Sequence, residues 1–519
     1  MIPRQIPNVA SVPAWRLCLG CGACAYVCPD RVIKLADVPD EGIRPFAWRT
    51  DCGGCRACLD VCPAYENDHT PHHARGGILP ELLAAFGPVL EIWEGHATDP
   101  VIRFVGSSGG ALTALALYCL ERQDMHGVLH IGSDPSNPIR NVTRLSRTRP
   151  ELLEKTGSRY APASACDRLD LIEQAPAPCV FIGQPSEVTA LRKAQQLRPA
   201  LDKNVGLALS FFCAGSPSTR GTLDLLKKLG VDPAEVGALR YRGNGWPGNF
   251  AVTLKEDVEQ VTPNERGRAT LLRSPDWEMG RAGDSPAPVG DSPTGPAEST
   301  LATKPSLSDS GTAAVPSGGS PVLPDNDLPN TLLENLPCQS TPSHDAATSS
   351  RAIQMSYRES WGFLQAYRPY STHLCPDGTG EDADISCGDP WYREVRDSEP
   401  GSSLVVVRTE RGREILRGAM AAGYVTLTPA TPQKLLDSQK NLINKRAAIW
   451  GRLWAFRLLG LPTPKLKGFS LFKLWLRLPL QDKLRSTLGS ARRIVSRKYY
   501  RPLELNGAKS EGTRAEGGG

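Results

Sequence analysis

Eight of the chain's 15 cysteines lie between Cys18 and Cys62, in two copies of one pattern. The first copy is Cys18-x-x-Cys21-x-x-Cys24-x-x-x-Cys28-Pro29. The second is Cys52-x-x-Cys55-x-x-Cys58-x-x-x-Cys62-Pro63. This spacing, used twice, is that of a module holding two [4Fe–4S] clusters: three thiolates of one loop reach one cluster, and the fourth, before proline, reaches the other. The expected ligand sets are therefore Cys18, Cys21, Cys24 and Cys62 for cluster one. Cluster two takes Cys52, Cys55, Cys58 and Cys28. Gly20, Gly22, Gly53 and Gly54 let the backbone turn close to the sulfurs.

Structural zinc uses separated Cys-x2-Cys pairs rather than a triplet followed by Cys-Pro. Disulfides would accompany an export signal. The stretch 1–17 is interrupted by Pro3, Pro7 and Pro13 and has no continuous apolar core, so none is expected. Thiolates kept reduced for cluster assembly favour the cytoplasm, and no apolar run approaches the ~20 residues of a membrane span. The chain is expected to move electrons one at a time.

At 519 residues the chain is too long for one ordinary domain. Residues 1–66 read as the cluster module, with a connector carrying a short helix near 79–86. A strand–helix alternation follows. Val101–Val105, Gly127–Ile131, Cys179–Gly183, Val205–Phe212 and Ser403–Val407 are strand candidates. Ala111–Glu121, Glu187–Leu197, Thr219–Leu229 and Glu410–Ala422 are helix candidates. The expected fold is α/β, a mixed or parallel sheet covered on both faces, divided as 67–282 and 351–433. The Pro/Ser/Gly-rich stretch 283–350 lacks periodicity and is expected to be a disordered insertion. From 434 to 519 the chain is a basic amphipathic tail with a disordered end. Between Lys440 and Arg501 there are 16 Lys and Arg against the single acid Asp482, so the rest of the +5 chain is acidic overall.

Three loops carry further chemistry. Gly106-Ser107-Ser108-Gly109-Gly110, read as a strand-to-helix turn, suits a phosphate at a helix N-terminus; a glycine-rich turn without a ligand accounts for it equally. Arg240-Tyr241-Arg242-Gly243-Asn244-Gly245-Trp246-Pro247-Gly248 suits stacking and an anion, or a tight turn capped by a buried Trp. The acidic run Glu381-Asp382-Ala383-Asp384, ahead of Gly388-Asp389-Pro390-Trp391, suits a metal or ribose, or only solvent. His69, His72 and His73 lack a fourth ligand at fixed spacing and are expected to be exposed loop residues.

The order of these motifs, with Phe212-Cys213-Ala214-Gly215 and Val407-Arg408-Thr409, resembles the coenzyme F420 hydrogenase/dehydrogenase β-subunit family over roughly 15–270 and 355–430. The resemblance implies a ferredoxin-like module followed by a flavin (FAD) domain. It places Ser107, Ser108, Gly109, Gly110, Arg242, Asn244, Gly245, Trp246, Gly388 and Asp389 around the flavin. It implies an oxidoreductase passing electrons between a ferredoxin or other redox partner and a hydride acceptor, with F420 as one candidate substrate; a relay subunit without its own reaction is the alternative. Two departures stand out: Pro185-Ser186 replaces a usual Pro-Cys, and Thr372 precedes Cys375 where paired cysteines are usual. A third cluster relying on those positions, with Cys213, would lose two ligands, so two clusters are expected, and Cys213 and Cys375 read as buried and inert. No acid or base for catalysis is apparent. In the tail, Trp and Leu among cations suit an anionic membrane surface or a docking partner. No nucleic-acid signature accompanies them.

Overall fold

The computed structural model describes residues 6–47, 54–259, 352–395 and 399–504. The expected insertion 283–350, with Cys338, lies outside them, as does Cys52. The strands are β1 (Ile33–Val38), β2 (Gly42–Ala47), β3 (Glu66–Asp68), β4 (Glu91–Ala97), β5 (Val128–Ser133), β6 (Asn141–Ser146), β7 (Cys179–Gly183) and β8 (Val205–Phe211). They continue as β9 (Val236–Arg240), β10 (Asn249–Leu254), β11 (Ile353–Ser356), β12 (Ile385–Gly388), β13 (Ser403–Val407), β14 (Val425–Pro429) and β15 (Lys465–Lys467). Eight of them form one sheet in the order β14-β4-β13-β12-β8-β7-β5-β6. Its centre, β12-β8-β7-β5, is parallel, and its flanks are antiparallel. Strands buried on both faces require continuous apolar runs. Ser403–Val407 is such a run, with all five residues buried.

On one face the helices Ala111–Arg122 and Glu410–Ala421 pack Leu115, Leu117, Ile415 and Leu416 against Val180, Leu207, Val405 and Val407. On the other, the helix Pro185–Leu197 brings Val188, Leu191 and Ala194 against Phe181 and Ala208. That same core includes Cys21, Ala23, Val27 and Val61, so the cysteine module is built onto this face of the sheet.

One expected strand is a helix. Val101–Val105 belongs to the helix Pro100–Val105. Asp99 accepts hydrogen bonds from the backbone N–H of Val101 and Ile102, and Pro100 occupies the first helical position. An Asp cap followed by proline outweighs five apolar residues of strand-like composition.

The tail is a packed element over most of its described length. Its helix Lys440–Leu458 buries Ile449, Leu453, Ala455 and Phe456 against Val9, Val12, Leu17 and Leu59 of the cysteine module. Farther on, β15 pairs in parallel with β3. No described helix is long and apolar enough to cross a membrane.

Candidate functional site

Gly20 and Gly22 have φ of +80° and +86°, and a Cβ on Gly22 would lie 2.9 Å from the Asp167 backbone nitrogen. Only glycine gives both the left-handed turn and that approach. Ser164 donates from Oγ to the Gly20 carbonyl at 2.5 Å, and the Cys166 N–H donates to the Cys21 carbonyl at 3.0 Å. The first cysteine loop is thereby fixed to the α/β body through its own backbone.

Cys18, Cys21, Cys24 and Cys62 are all buried and line one cavity, together with Val9, Val12, Leu35 and Pro63. Burial raises the Cys21 and Cys24 thiols well above the ordinary range, and repulsion from Cys18 and Cys62 adds to it. Burial and the neighbouring Cys18 push Cys62 up to about 12. Four such groups do not ionise side by side in protein alone; a bound cationic centre is what makes thiolates of them. The second set is more open. Cys55 is exposed, Cys28 and Cys58 are half-buried, and Cys58, raised by burial, also feels Cys28 and Cys55. Cys62 thus shares the cavity of the first triplet, and Cys28 neighbours Cys58 of the second. Among the described residues no three of these sulfurs lie within 4.8 Å of one another, whereas four thiolates on one zinc at ~2.3 Å sit about 3.8 Å apart.

A second, larger cavity lies next to the first, with Leu19 and Gly20 lining both. Ser186, Cys213, Thr372 and Cys375 line it together, although nearly 190 residues of sequence separate them. The Cys213 thiol lies 3.5 Å from Gln184 Oε1, and Cys375 Sγ lies 3.4 Å from the Asp377 carbonyl. Burial raises both thiols, Cys375 to about 12. These two cysteines are half-buried cavity residues rather than core fillers. Lys445 reaches the same cavity and forms no salt bridge to a described carboxylate; burial lowers its pKa. Nothing in the basic run around it distinguishes Lys445 by sequence, because its neighbours point elsewhere.

The three glycine-rich motifs also converge. The SSGG turn joins two helices, not a strand and a helix. Gly109 donates its N–H to Ser403 Oγ at 2.8 Å, and a Cβ there would lie 2.7 Å from the Gly95 carbonyl oxygen. Ser107 Oγ accepts from the Ser158 N–H at 2.5 Å, while Ser108 is half-buried. The Gly245 N–H donates to the Phe104 carbonyl, and Asn244 is exposed with φ of 58°. Arg242 is buried and forms two hydrogen bonds to Asp389, at 2.8 and 2.5 Å, and Trp246 Nε1 donates to the same carboxylate. The guanidinium also lies over the Tyr357 and Trp391 rings. Gly388 lies under the Phe212 ring, which a Cβ would strike. Arg242, Trp246 and Asp389 thus satisfy one another and hold the loops in place.

The acidic run is buried rather than solvated. Glu381 sits between His69 Nδ1, at 2.8 Å, and Arg446. Asp382 meets His69 Nε2 at 3.3 Å and His72 Nε2 at 2.9 Å, and Asp384 pairs with Arg192 at 3.0 Å. His69 and His72 are therefore not exposed loop residues; only His73 is. Burial opposes the charged form of His69, but Asp382 and Glu381 raise its pKa to about 10. Burial is likewise overcome at Glu381, where Arg446 and His69 hold the carboxyl at about 2. His69, His72 and Glu381 offer ligand atoms within 4.8 Å of one another. A metal ion there would meet an imidazolium and the Arg446 guanidinium, so the cluster is an ion-pair network.

Residues 92–169 match the family described as coenzyme F420 hydrogenase/dehydrogenase, β subunit N-terminus. Residues 178–281 and 334–433 match the corresponding C-terminal family. Residues 17–66 match a 4Fe–4S dicluster domain. Among curated proteins, a coenzyme F420-dependent sulfite reductase of Methanocaldococcus jannaschii is 21% identical over 237 residues, 42% of this chain. The match spans about a third of that relative's length, 34%. Among solved structures, a chain of the F420-reducing [NiFe] hydrogenase complex from Methanosarcina barkeri aligns with a TM-score of 0.42 at 16% identity, covering 74% of this chain and 97% of that one.

Proposed function

Because the chain belongs to the coenzyme F420 hydrogenase/dehydrogenase β-subunit family and carries a 4Fe–4S dicluster domain, it is an iron–sulfur oxidoreductase of that kind, and we propose that it wires two clusters in series to a flavin. The observation that carries this reading is the crossed grouping of the thiols. Cys18, Cys21, Cys24 and Cys62 would hold the inner cluster, and Cys28, Cys52, Cys55 and Cys58 the outer one. When bound, the clusters would carry single electrons and the flavin would exchange them for a hydride.

The chain's own residues then take distinct parts. Exposed Cys55 puts the outer centre where a ferredoxin or another redox partner can approach. Leu19 and Gly20 form the thin wall between the inner thiols and the larger cavity. Lys445, which forms no salt bridge to a described carboxylate, gives that cavity a cation for an anionic ring or substrate, whereas Arg44 on its wall is paired with Glu41. Residues 157–163 run from the SSGG turn, which Ser158 touches, to Pro162 and Ala163 on the cavity wall. Four residues span at most roughly 13 Å. A separation within that limit would allow FAD to lie with its phosphates by Ser107 and Ser108 and its ring toward Cys213 and Cys375. Asn244 and Gly245 would border it, while Arg242, Trp246, Gly388 and Asp389 support the loop from behind. Coenzyme F420 is a candidate hydride acceptor.

A relay subunit without bound flavin is the second reading. The mutual saturation of Arg242, Trp246 and Asp389 favours it, because it leaves few free polar groups at that loop. An anaerobic preparation assayed for iron, acid-labile sulfide and flavin separates the two. About eight irons and one flavin per chain support the flavoprotein; about eight irons without flavin support the relay. Cys21→Ala should remove about half the iron and leave any flavin bound. Unchanged iron would overturn the ligand assignment.

A further inference from the structure

Nine large apolar side chains are exposed among the described residues, and all but Leu197 lie between Trp454 and Val495. They are carried by helical segments that all pack on Lys440–Leu458. Leu471–Leu476 comes first; then Leu480–Leu484, Arg485–Gly489 and Ser490–Ser496 follow one another without a break. On that run Ser486, Ser490 and Ile494 face inward. Leu480, Leu484, Leu488 and Val495 face out, with Leu480 71% and Leu488 65% exposed. A surface helix ordinarily points its apolar stripe at the core and its polar face at water. Here small and apolar residues fill the inner row while leucines occupy the outer one.

The charge of this face is as one-sided as its hydropathy. Every exposed residue from 471 to 498 is apolar or basic except Gln481 and Ser496. Lys473, Arg477, Arg485, Arg492, Arg497 and Lys498 are all among them. Asp482, the one acid, is half-buried and lies 3.8 Å from Arg485. Cations that the fold uses internally are turned away from this face: Arg446 is buried against Glu381, and Lys445 lines the cavity. Trp450 and Trp475 pack against exposed Phe472, with the Trp475 and Phe472 centroids 4.4 and 5.0 Å from Trp450.

We propose that the face formed by 454–498 docks the protein on an anionic lipid surface. Leucines and aromatics among cations, on short helices that lie flat against the body, are the composition of an interfacial anchor. The almost entirely cationic polar groups of this face complement the phosphates of an anionic lipid surface. Anchoring there leaves the main sheet and its cavity outside the bilayer.

The test uses full-length protein and sedimentation with vesicles of phosphatidylcholine alone or with about a third phosphatidylglycerol. Binding is expected only to the anionic vesicles and should weaken as salt rises. Leu480→Glu/Leu484→Glu/Leu488→Glu should lower partitioning roughly tenfold or more while iron content and circular dichroism stay the same, since all three positions are exposed. Arg485→Gln/Arg492→Gln should weaken binding without abolishing it. Failure to sediment with anionic vesicles overturns the proposal, as does equal binding to phosphatidylcholine alone. So does a solution dimer that Leu484→Glu dissociates, which would make this face an interface between copies of the chain.

Discussion

Replacing Arg446 with Met should cost about 3 kcal/mol of stability, because it strands a buried carboxylate. Arg446 lies in the tail helix, is buried, and pairs with Glu381, which is 1% exposed. Removing one partner of a buried pair costs roughly 3–5 kcal/mol, mostly from the charge left behind. His69 still faces Glu381 from the other side at 2.8 Å, which puts the loss near the low end. Met keeps most of the aliphatic stem but loses the guanidinium carbon that lies 5.1 Å over the Phe469 ring, so a small packing loss adds to the electrostatic one. For roughly 400 ordered residues at ~2.1 cal/mol/K each, 3 kcal/mol lowers the thermal midpoint by about 3–4 °C. The assay is thermal unfolding of the iron-loaded protein at fixed pH and scan rate. Arg446→Met/Glu381→Gln removes both charges and should recover much of the loss. Two outcomes would refute the reasoning: a midpoint for Arg446→Met equal to that of the wild type, or a double variant whose loss is the sum of the two single losses.

The same network predicts a pH dependence. His69 has its pKa raised from 6.5 to about 10, so its contribution is complete below pH 6.5 and is lost as the pH rises toward 10. The thermal midpoint should fall between pH 7 and pH 9 in the wild type and change less in His69→Gln; identical profiles would sink this assignment. Gly109→Ala should unfold or misplace the SSGG turn, because its Cβ would meet backbone atoms at 2.7 and 2.8 Å that cannot move aside. A stability loss of roughly 2 kcal/mol or more is expected, read as a lower thermal midpoint, and a neutral variant would mean the turn adapts.

The cysteine module was legible because its determinants are local. The repeated spacing lies within loops of three to four residues, and the match of residues 17–66 to a 4Fe–4S dicluster domain rests on that same stretch. The main strands and helices were legible for the same reason: uninterrupted apolar runs such as 403–407 have no other place to go than a covered sheet. Where sequence reading failed, a neighbour distant in sequence or a cap made the decision. Residues 101–105 are strand-like in composition, yet Asp99 and Pro100 start a helix. His69 and His72 look like loop polar residues, and Asp382 and Glu381, some 310 positions away, bury them as partners. The tail reads as one basic amphipathic stretch, but packing sorts its cations one by one: Arg446 into an ion pair, Lys445 into a cavity, Arg485 and Arg492 to the surface. The larger cavity depends most on tertiary structure. Ser186, Cys213, Thr372 and Cys375 meet where β7, β8 and β12 lie side by side, and the tail helix Lys440–Leu458 brings Lys445 to them; strand order is set by the burial of whole faces rather than by the spacing of any motif.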